Sequence, residues 1–274
     1  MDLSKLDVDE ILRMATPRSK PYLAPTEEQR AVIQAPLQPL LVVAGAGAGK
    51  TTTMSQRVLY MVAHHGIDPE RILGLTFTRK AAGELGLKMR QDLATLASNS
   101  GQEFVGEPTA LTYNSFAARI LGEYGATIGV DPDSRLIGQA QQVQVLSSIV
   151  ENWRGEYPQS DEQYKPTATI VAAVLSLSGH IAEQNMTLDE GRIALSAFQK
   201  ELEEVASISG KDPTGNLKKM IEANRNRLLL LDIAEAFESY KRAHGLIDFS
   251  DQLLLATQIV TSNKDVVRQV RSDY

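Results

Sequence analysis

Apolar positions along the first part of the chain come in short runs that alternate with stretches of helical period. Leu40-Leu41-Val42-Val43 lies between Pro39 and a glycine-rich stretch and reads as a buried strand. A helix is expected from Gly49 to about His64, ending near Gly66. Ile72 to Phe77 reads as a second strand, and Arg79 to about Leu96 as a second helix rich in Ala, Leu, Met and Lys. Residues 97–107 read as a loop, Thr109 to Tyr113 as a third strand, and a helix follows it. Upstream, Ser19, Lys20, Pro21 and Pro25 discourage regular structure, so residues 1–25 read as an irregular lead-in. A short helix is expected from Thr26 to about Ala35, stopped by Pro36 and Pro39.

From about Gly138 to His244 only the helical period remains, as in Val143/Val145/Leu146/Ile149, Ile170/Val171/Val174/Leu175 and Leu228 to Tyr240. Breaks fall at Pro158, Pro166 and Gly210-Lys211-Asp212-Pro213. Helices at Phe249–Thr261 and Asp265–Ser272 close the chain. Strands alternating with helices predict an α/β fold with a parallel sheet and crossover helices. The helical stretch then reads as an inserted all-α subdomain. Three strands are few where about five or six are usual. The expectation is a sheet incomplete at the C-terminus, in a piece of a longer protein. The expected division is 1–25 lead-in, 26–115 plus 246–274 as one partial domain, and 116–245 as the helical insertion.

The length of 274 residues suits one or two domains, and 43% hydrophobic with 23% charged content is ordinary for a globular chain. The net charge of −6 speaks against a surface coated with nucleic acid and leaves room for a local basic track. With no cysteine, disulfides, thiolate metal sites and cysteine catalysis are excluded. No apolar run reaches the ~18 residues of a membrane span. The N-terminus lacks a basic region followed by an apolar stretch, so a cytoplasmic location without membrane partners is expected.

Ala44-Gly45-Ala46-Gly47-Ala48-Gly49-Lys50-Thr51 follows the first expected strand and opens a helix, the setting in which a phosphate loop is credible. Glycines let backbone N–H groups approach phosphate oxygens, and the helix N-terminus adds partial positive charge. Lys50 would reach the β- and γ-phosphates of ATP, and the Thr51 hydroxyl would hold Mg²⁺. Residues 44–52, through Thr52, therefore form the expected nucleotide loop, with Ala44 where a glycine is usual. Such a loop needs a carboxylate on another strand. The formal match Leu228-Leu229-Leu230-Leu231-Asp232 continues apolar at Ile233, Ala234, Phe237 and Tyr240, and so reads as a core helix.

Pro25-Thr26-Glu27-Glu28-Gln29 has two readings. One is a capping box between Thr26 and Gln29. The other is an amide at Gln29 paired with adenine. After the second strand, Thr76-Phe77-Thr78-Arg79-Lys80-Ala81-Ala82 sets an aromatic, two hydroxyls and two cations at the carboxyl edge of a parallel sheet, where such folds bind ligands. Phe77 reads either as a base-stacking ring or as core, and Arg79 and Lys80 either as phosphate contacts or as a solvated helix start.

Taken together and in order, these segments resemble superfamily-1 DNA helicases of the Rep/PcrA/UvrD type. Thr112-Tyr113-Asn114-Ser115-Phe116 resembles the next motif of that family, with Asn114 where histidine is common. Ile247-Asp248-Phe249-Ser250-Asp251 resembles the segment that re-enters the first motor domain after its helical insertion. The resemblance implies a P-loop NTPase (RecA-like) sheet, ATP and Mg²⁺ as cofactors, and single-stranded or duplex DNA as partner. It implies nucleotide contacts at Gln29 and 44–52, and DNA contacts at Phe77, Thr78, Arg79, Tyr113 and Asn114. It also implies that the strand with the metal-holding Asp-Glu pair follows Tyr274, so that the chain alone is inactive. Within the superfamily, the segments 25–29, 42–51, 73–83 and Asp133-Ser134-Arg135-Leu136-Ile137-Gly138 resemble the AdnAB-type helicase–nucleases, on the AdnB side, which implies a second, AdnA-like helicase subunit.

Two other readings stay open. A complete small phosphate-loop NTPase would use Asp232 and needs the four leucines to form a strand. A nucleotide- or DNA-binding module without catalysis would have a vestigial site. The basic run Lys218, Lys219, Arg225 and Arg227 reads as a solvated helix face, with a nucleic-acid track as the alternative.

Overall fold

A computed structural model of the chain describes residues 2–131, 133–160, 163–164, 166–208 and 215–274. The loop expected at 210–213 lies outside the described residues. The fold is mostly helical with small parallel sheets, in two compact units formed by 1–116 with 263–274 and by 117–262. Among the described residues no helix is long and apolar enough to cross a membrane.

The first unit starts with a 3₁₀ turn at 3–5 and helix α1 (Val8–Met14), followed by α2 (Glu27–Gln34) and α3 (Lys50–His65). Strand β1 (Leu73–Thr76), helix α4 (Arg79–Ser100), strand β2 (Thr109–Thr112) and the first turn of helix α5 (Tyr113–Tyr124), up to Phe116, complete its continuous part. The lead-in is irregular over 15–25, as expected, but not over 3–14. Asp7 and Glu10 form a reciprocal capping box that opens α1, and Leu3, Val8, Ile11, Leu12 and Ala15 are buried. Their spacing sets one apolar stripe onto the core that contains Ile33, Leu59, Leu85 and Leu96. The end of α4 also differs from expectation. The helix continues to Ser100, where Gly101, at φ 71°, makes a left-handed cap whose N–H reaches Ala97 O.

β1 and β2 pair in parallel with Leu73 opposite Thr109 and Thr76 opposite Thr112, and α4 is the crossover between them. Leu40 to Val43 form no strand. The four residues are exposed, Leu41 at 88% and Val43 at 90%. A strand needs a neighbour for its N–H and C=O groups, and no described strand lies beside this run. The sheet of this unit therefore has two strands where three were expected.

The second unit holds β3 (Arg135–Leu136), α6 (Gln139–Glu151), a hairpin of β4 (Gln159–Ser160) and β5 (Gln163–Tyr164), α7 (Thr167–Glu183), α8 (Leu188–Ile208), α9 (Gly215–Ala243), β6 (Leu246–Ile247) and α10 (Phe249–Ser262). The insertion is thus not all-α. β3 pairs in parallel with β6, and β4 with β5 antiparallel. Strands of two residues are too short to show a period. Leu146, Val150, Ile170, Val174, Ile233 and Phe237 form the core of this unit. α10 belongs with this unit, and α11 (Lys264–Asp273) with the first, where Tyr274 meets Phe116 edge-on at 6.1 Å.

The Leu228–Asp232 run is helical, inside α9. Asp232 accepts from Arg192 Nη2 at 2.8 Å, and Glu235 accepts from the same nitrogen at 2.7 Å. A carboxylate on this helix cannot stand at a strand end beside a phosphate loop. The small NTPase built on Asp232 is excluded.

Among the described residues Lys241 is the most enclosed cation, 2% exposed, with Glu238 Oε1 at 2.7 Å, Asp251 Oδ2 at 2.8 Å and Asp248 Oδ2 at 2.9 Å. One ammonium faces three carboxylates. Burial therefore dominates at Glu238, whose carboxyl is pushed up to about 7 despite the neighbouring ammonium. Asp251 is raised for the same reason.

Candidate functional site: a glycine loop and an aromatic strand edge

The glycine stretch ends directly in α3. Gly47 and Gly49 have φ of 78° and 77°, the left-handed region that side chains with a Cβ avoid. At Gly49 a Cβ would also lie 3.1 Å from Gln29 Nε2. Gly49 is the N-cap of α3 and offers no side-chain acceptor, so the first-turn N–H groups of the helix are left without a side-chain cap. These donors suit an oxyanion.

Lys50 turns back into the loop. Its Nζ donates to Ala44 O at 3.1 Å and Gly45 O at 2.8 Å. Thr51 and Thr52 are exposed in the first turn, while Thr53 is buried and its hydroxyl donates to Gly49 O at 3.2 Å. An ammonium, uncapped N–H groups and an exposed hydroxyl together suit the phosphates of a nucleoside triphosphate. Among the described residues no group of three His, Cys, Asp or Glu side chains converges as a metal cage. A magnesium ion here would rest on the Thr51 hydroxyl and on the nucleotide's own phosphates.

Both halves of the Gln29 amide are engaged. Oε1 accepts from Thr26 N at 3.1 Å, closing the capping box with Gln29 N on Thr26 Oγ1 at 3.3 Å. Nε2 donates to Ala48 O at 3.1 Å, which ties α2 to the glycine loop. The capping-box reading holds in this state, and an adenine contact would require the amide to leave these partners.

Several supports of the loop went unread in the sequence. Arg57, on α3, donates from Nη1 to Val32 O at 2.6 Å and Ala35 O at 2.9 Å, and from Nη2 to Pro36 O at 3.2 Å. Next to Gln29, Arg30 Nη2 meets Asp9 Oδ2 of α1 at 2.6 Å, and the Tyr22 hydroxyl donates to the other Asp9 oxygen. Burial first, and the hydrogen bond to Asp9 second, push the Tyr22 hydroxyl up to about 12. The available signal was Asp7 followed by Glu10 before apolar residues of helical period.

The second cluster follows from strand register. Thr76 lies opposite Thr112, so the next residues, Phe77 and Tyr113, leave the carboxyl edge side by side. Their ring centroids are 5.2 Å apart with planes tilted by 41°. Phe77 is 89% exposed and Tyr113 46%, so Phe77 is not a core residue. Each strand ends in a threonine cap system. Thr78 accepts from Ala81 N at 3.1 Å, and Thr112 accepts from Ser115 N at 3.1 Å. Arg79, Lys80 and Asn114 are exposed beside the rings, and among the described residues Arg79 has no ion pair. The edge thus presents two aromatic faces, a guanidinium and an amide to solvent.

In the second unit Lys218 lies 3.9 Å from Glu222 on the exposed surface of α9, as a solvated face would.

Comparison with known sequences adds the following. The family described as UvrD/REP helicase N-terminal domain matches residues 25–274. The ATP-dependent DNA helicase PcrA of Leuconostoc citreum is 24% identical over 247 residues, 90% of this chain and 27% of that protein. The ATP-dependent DNA helicase SRS2 of Saccharomyces cerevisiae is 30% identical over 126 residues, 46% of this chain and 10% of that protein. The ATP-dependent DNA helicase UvrD2 of Mycobacterium tuberculosis is 35% identical over 111 residues, 40% of this chain and 15% of that protein. The chain spans about a quarter or less of the length of these curated relatives.

Proposed function

The chain belongs to the UvrD/REP helicase N-terminal domain family, and from that premise we propose that it is the ATP-binding portion of an ATP-dependent DNA helicase or translocase. The observation that carries the proposal is the glycine loop, with two left-handed glycines opening an uncapped helix and Lys50 turned into it. Lys50 binds the β- and γ-phosphates, and the backbone at 44–49 encloses them. Thr51 holds the Mg²⁺ that bound ATP brings, and Thr52 lines the loop. The ion supplies charge neutralisation at the transferred phosphoryl group. Gln29 leaves Ala48 O to meet the adenine edge.

We assign the first unit, through 116 and with 263–274, to a first motor domain with a RecA-like sheet, and 117–262 to its helical insertion, a division shifted from the expected 26–115 with 246–274 and 116–245. Phe77 and Tyr113 stack on bases of single-stranded DNA, while Thr78, Arg79 and Asn114 meet its backbone. ATP-driven closure and opening around the strand moves the protein along it. The setting is cytoplasmic DNA repair or recombination.

The finer reading is an AdnB-type subunit of a helicase–nuclease with an AdnA-like partner. Its support is the set of segments at 25–29, 42–51, 73–83 and 133–138.

The test is DNA-stimulated ATP hydrolysis by the full-length protein. Lys50→Ala is expected to abolish it. Turnover that survives the substitution would remove the phosphate-loop assignment. ATP binding without turnover in the unsubstituted protein would favour a non-catalytic nucleotide-binding module.

A further inference from the structure

α2 is eight residues long, well below the ~12–15 at which an isolated helix holds itself together. Its geometry must come from its surroundings. The first turn is fixed by the Thr26–Gln29 capping box. The last turn has a problem. Its terminal carbonyls need donors, and Pro36 has no N–H to offer. Ala35 N reaches Val32 O only at 3.4 Å.

Arg57 fills the gap. One guanidinium gathers the oxygens of Val32, Ala35 and Pro36, with Ile33 O at 3.4 Å. Among the described residues no carboxylate is paired with Arg57. Its charge instead faces the negative end of the α2 dipole. The reach of the two helices matches. Arg57 lies seven positions after Lys50, on the same face of α3 and about 10 Å along its axis. Gln29 and Ala35 are about 9 Å apart along α2. A closed frame results: the loop at Ala48, α3 out to Arg57, across to the end of α2, and back through Gln29 Nε2 to Ala48 O.

We propose that Arg57 is a positioning residue of the nucleotide site. It fixes the C-terminus of α2 and with it the place of Gln29, which holds the phosphate loop at Ala48 O before nucleotide binds and stands ready for the adenine edge once it does. This rests on the nucleotide-loop reading given above.

The test is a double-mutant cycle on the affinity of the full-length protein for a fluorescent ATP analogue, with Gln29→Ala, Arg57→Ala and both together. Arg57→Ala is expected to weaken binding about tenfold. In the Gln29→Ala background the same change should cost little more, because the path through Gln29 is already cut. A residue that only stabilises the fold would not show this dependence. Arg57→Lys, which keeps the charge but cannot span several carbonyls, should weaken binding in the same direction. It replaces Arg57→Ala in the cycle if that variant does not fold. Losses that multiply across the cycle, or an affinity unchanged by either Arg57 substitution, would overturn the proposal. Lys50→Ala separates the two claims. If it abolishes binding while the Arg57 variants bind normally, the Arg57 role alone fails. If binding survives Lys50→Ala, the phosphate-loop reading fails and the Arg57 proposal with it.

Discussion

Phe77→Ala is expected to leave the fold standing and to weaken binding of single-stranded DNA. The ring is 89% exposed and touches Tyr113 on one side only. Truncating a side chain this exposed should change stability by no more than about 0.5 kcal/mol. Stacking on a base would contribute about 1–3 kcal/mol, which converts to a loss of about 5- to 150-fold in affinity. The tilt of 41° at 5.2 Å leaves the outer Phe77 face open while the inner one leans on Tyr113. The two rings therefore form one platform, and Phe77→Ala with Tyr113→Ala should cost less than the product of the single losses. The assay is fluorescence anisotropy of a labelled thymidine oligomer with the full-length protein at fixed ionic strength, since salt alone shifts such affinities strongly. Unchanged affinity in both single variants, with ATP binding intact, would refute the stacking argument.

Lys241→Met strands three carboxylates in a buried cluster, so a loss of about 3–5 kcal/mol is expected, read as a fall of roughly 10 °C in melting temperature; a fall under two degrees would show the cluster to be solvated. The folded-state pKa of Glu238, about 7, is above its ordinary 4.5, so its contribution is full below about 4.5 and is lost as the pH rises through 7. Stability, followed as melting temperature, should therefore fall from pH 5 to pH 8 by at most about 3 kcal/mol, and Glu238→Gln should flatten that slope; an equal slope in the variant would assign it to other groups. Asp232→Asn should leave ATP hydrolysis by the full-length protein unchanged, because among the described residues Asp232 is engaged in the half-exposed link to Arg192 alone; lost turnover would contradict its helical placement.

The parts of the fold carried by local chemistry were legible. β1, α4 and β2 follow from apolar runs and a helix-forming stretch between them, and the glycines before Lys50 fixed where α3 begins. Asp232 was read correctly because Ile233 and Phe237 continued a helical period past it. Leu40 to Val43 misled because an apolar, β-branched run states only a wish for burial, while pairing depends on neighbours elsewhere in the chain. α1 was missed because the prolines after it drew attention from the Asp7–Glu10 box. At the site, the loop residues and the Phe77 edge could be named from their motifs. The choice for Phe77 between core and surface could not, since it depends on how β1 and β2 align. Arg57 was invisible because its partners are backbone carbonyls more than twenty residues away, which leave no trace in side-chain pattern.

The most direct test of the central claim is a crystal structure of the full-length protein with Mg²⁺ and a non-hydrolysable ATP analogue. The account predicts phosphates enclosed by residues 44–51, with Lys50 Nζ moved from the Ala44 and Gly45 carbonyls onto phosphate oxygens. A nucleotide bound elsewhere, with Lys50 still on those carbonyls, would contradict it.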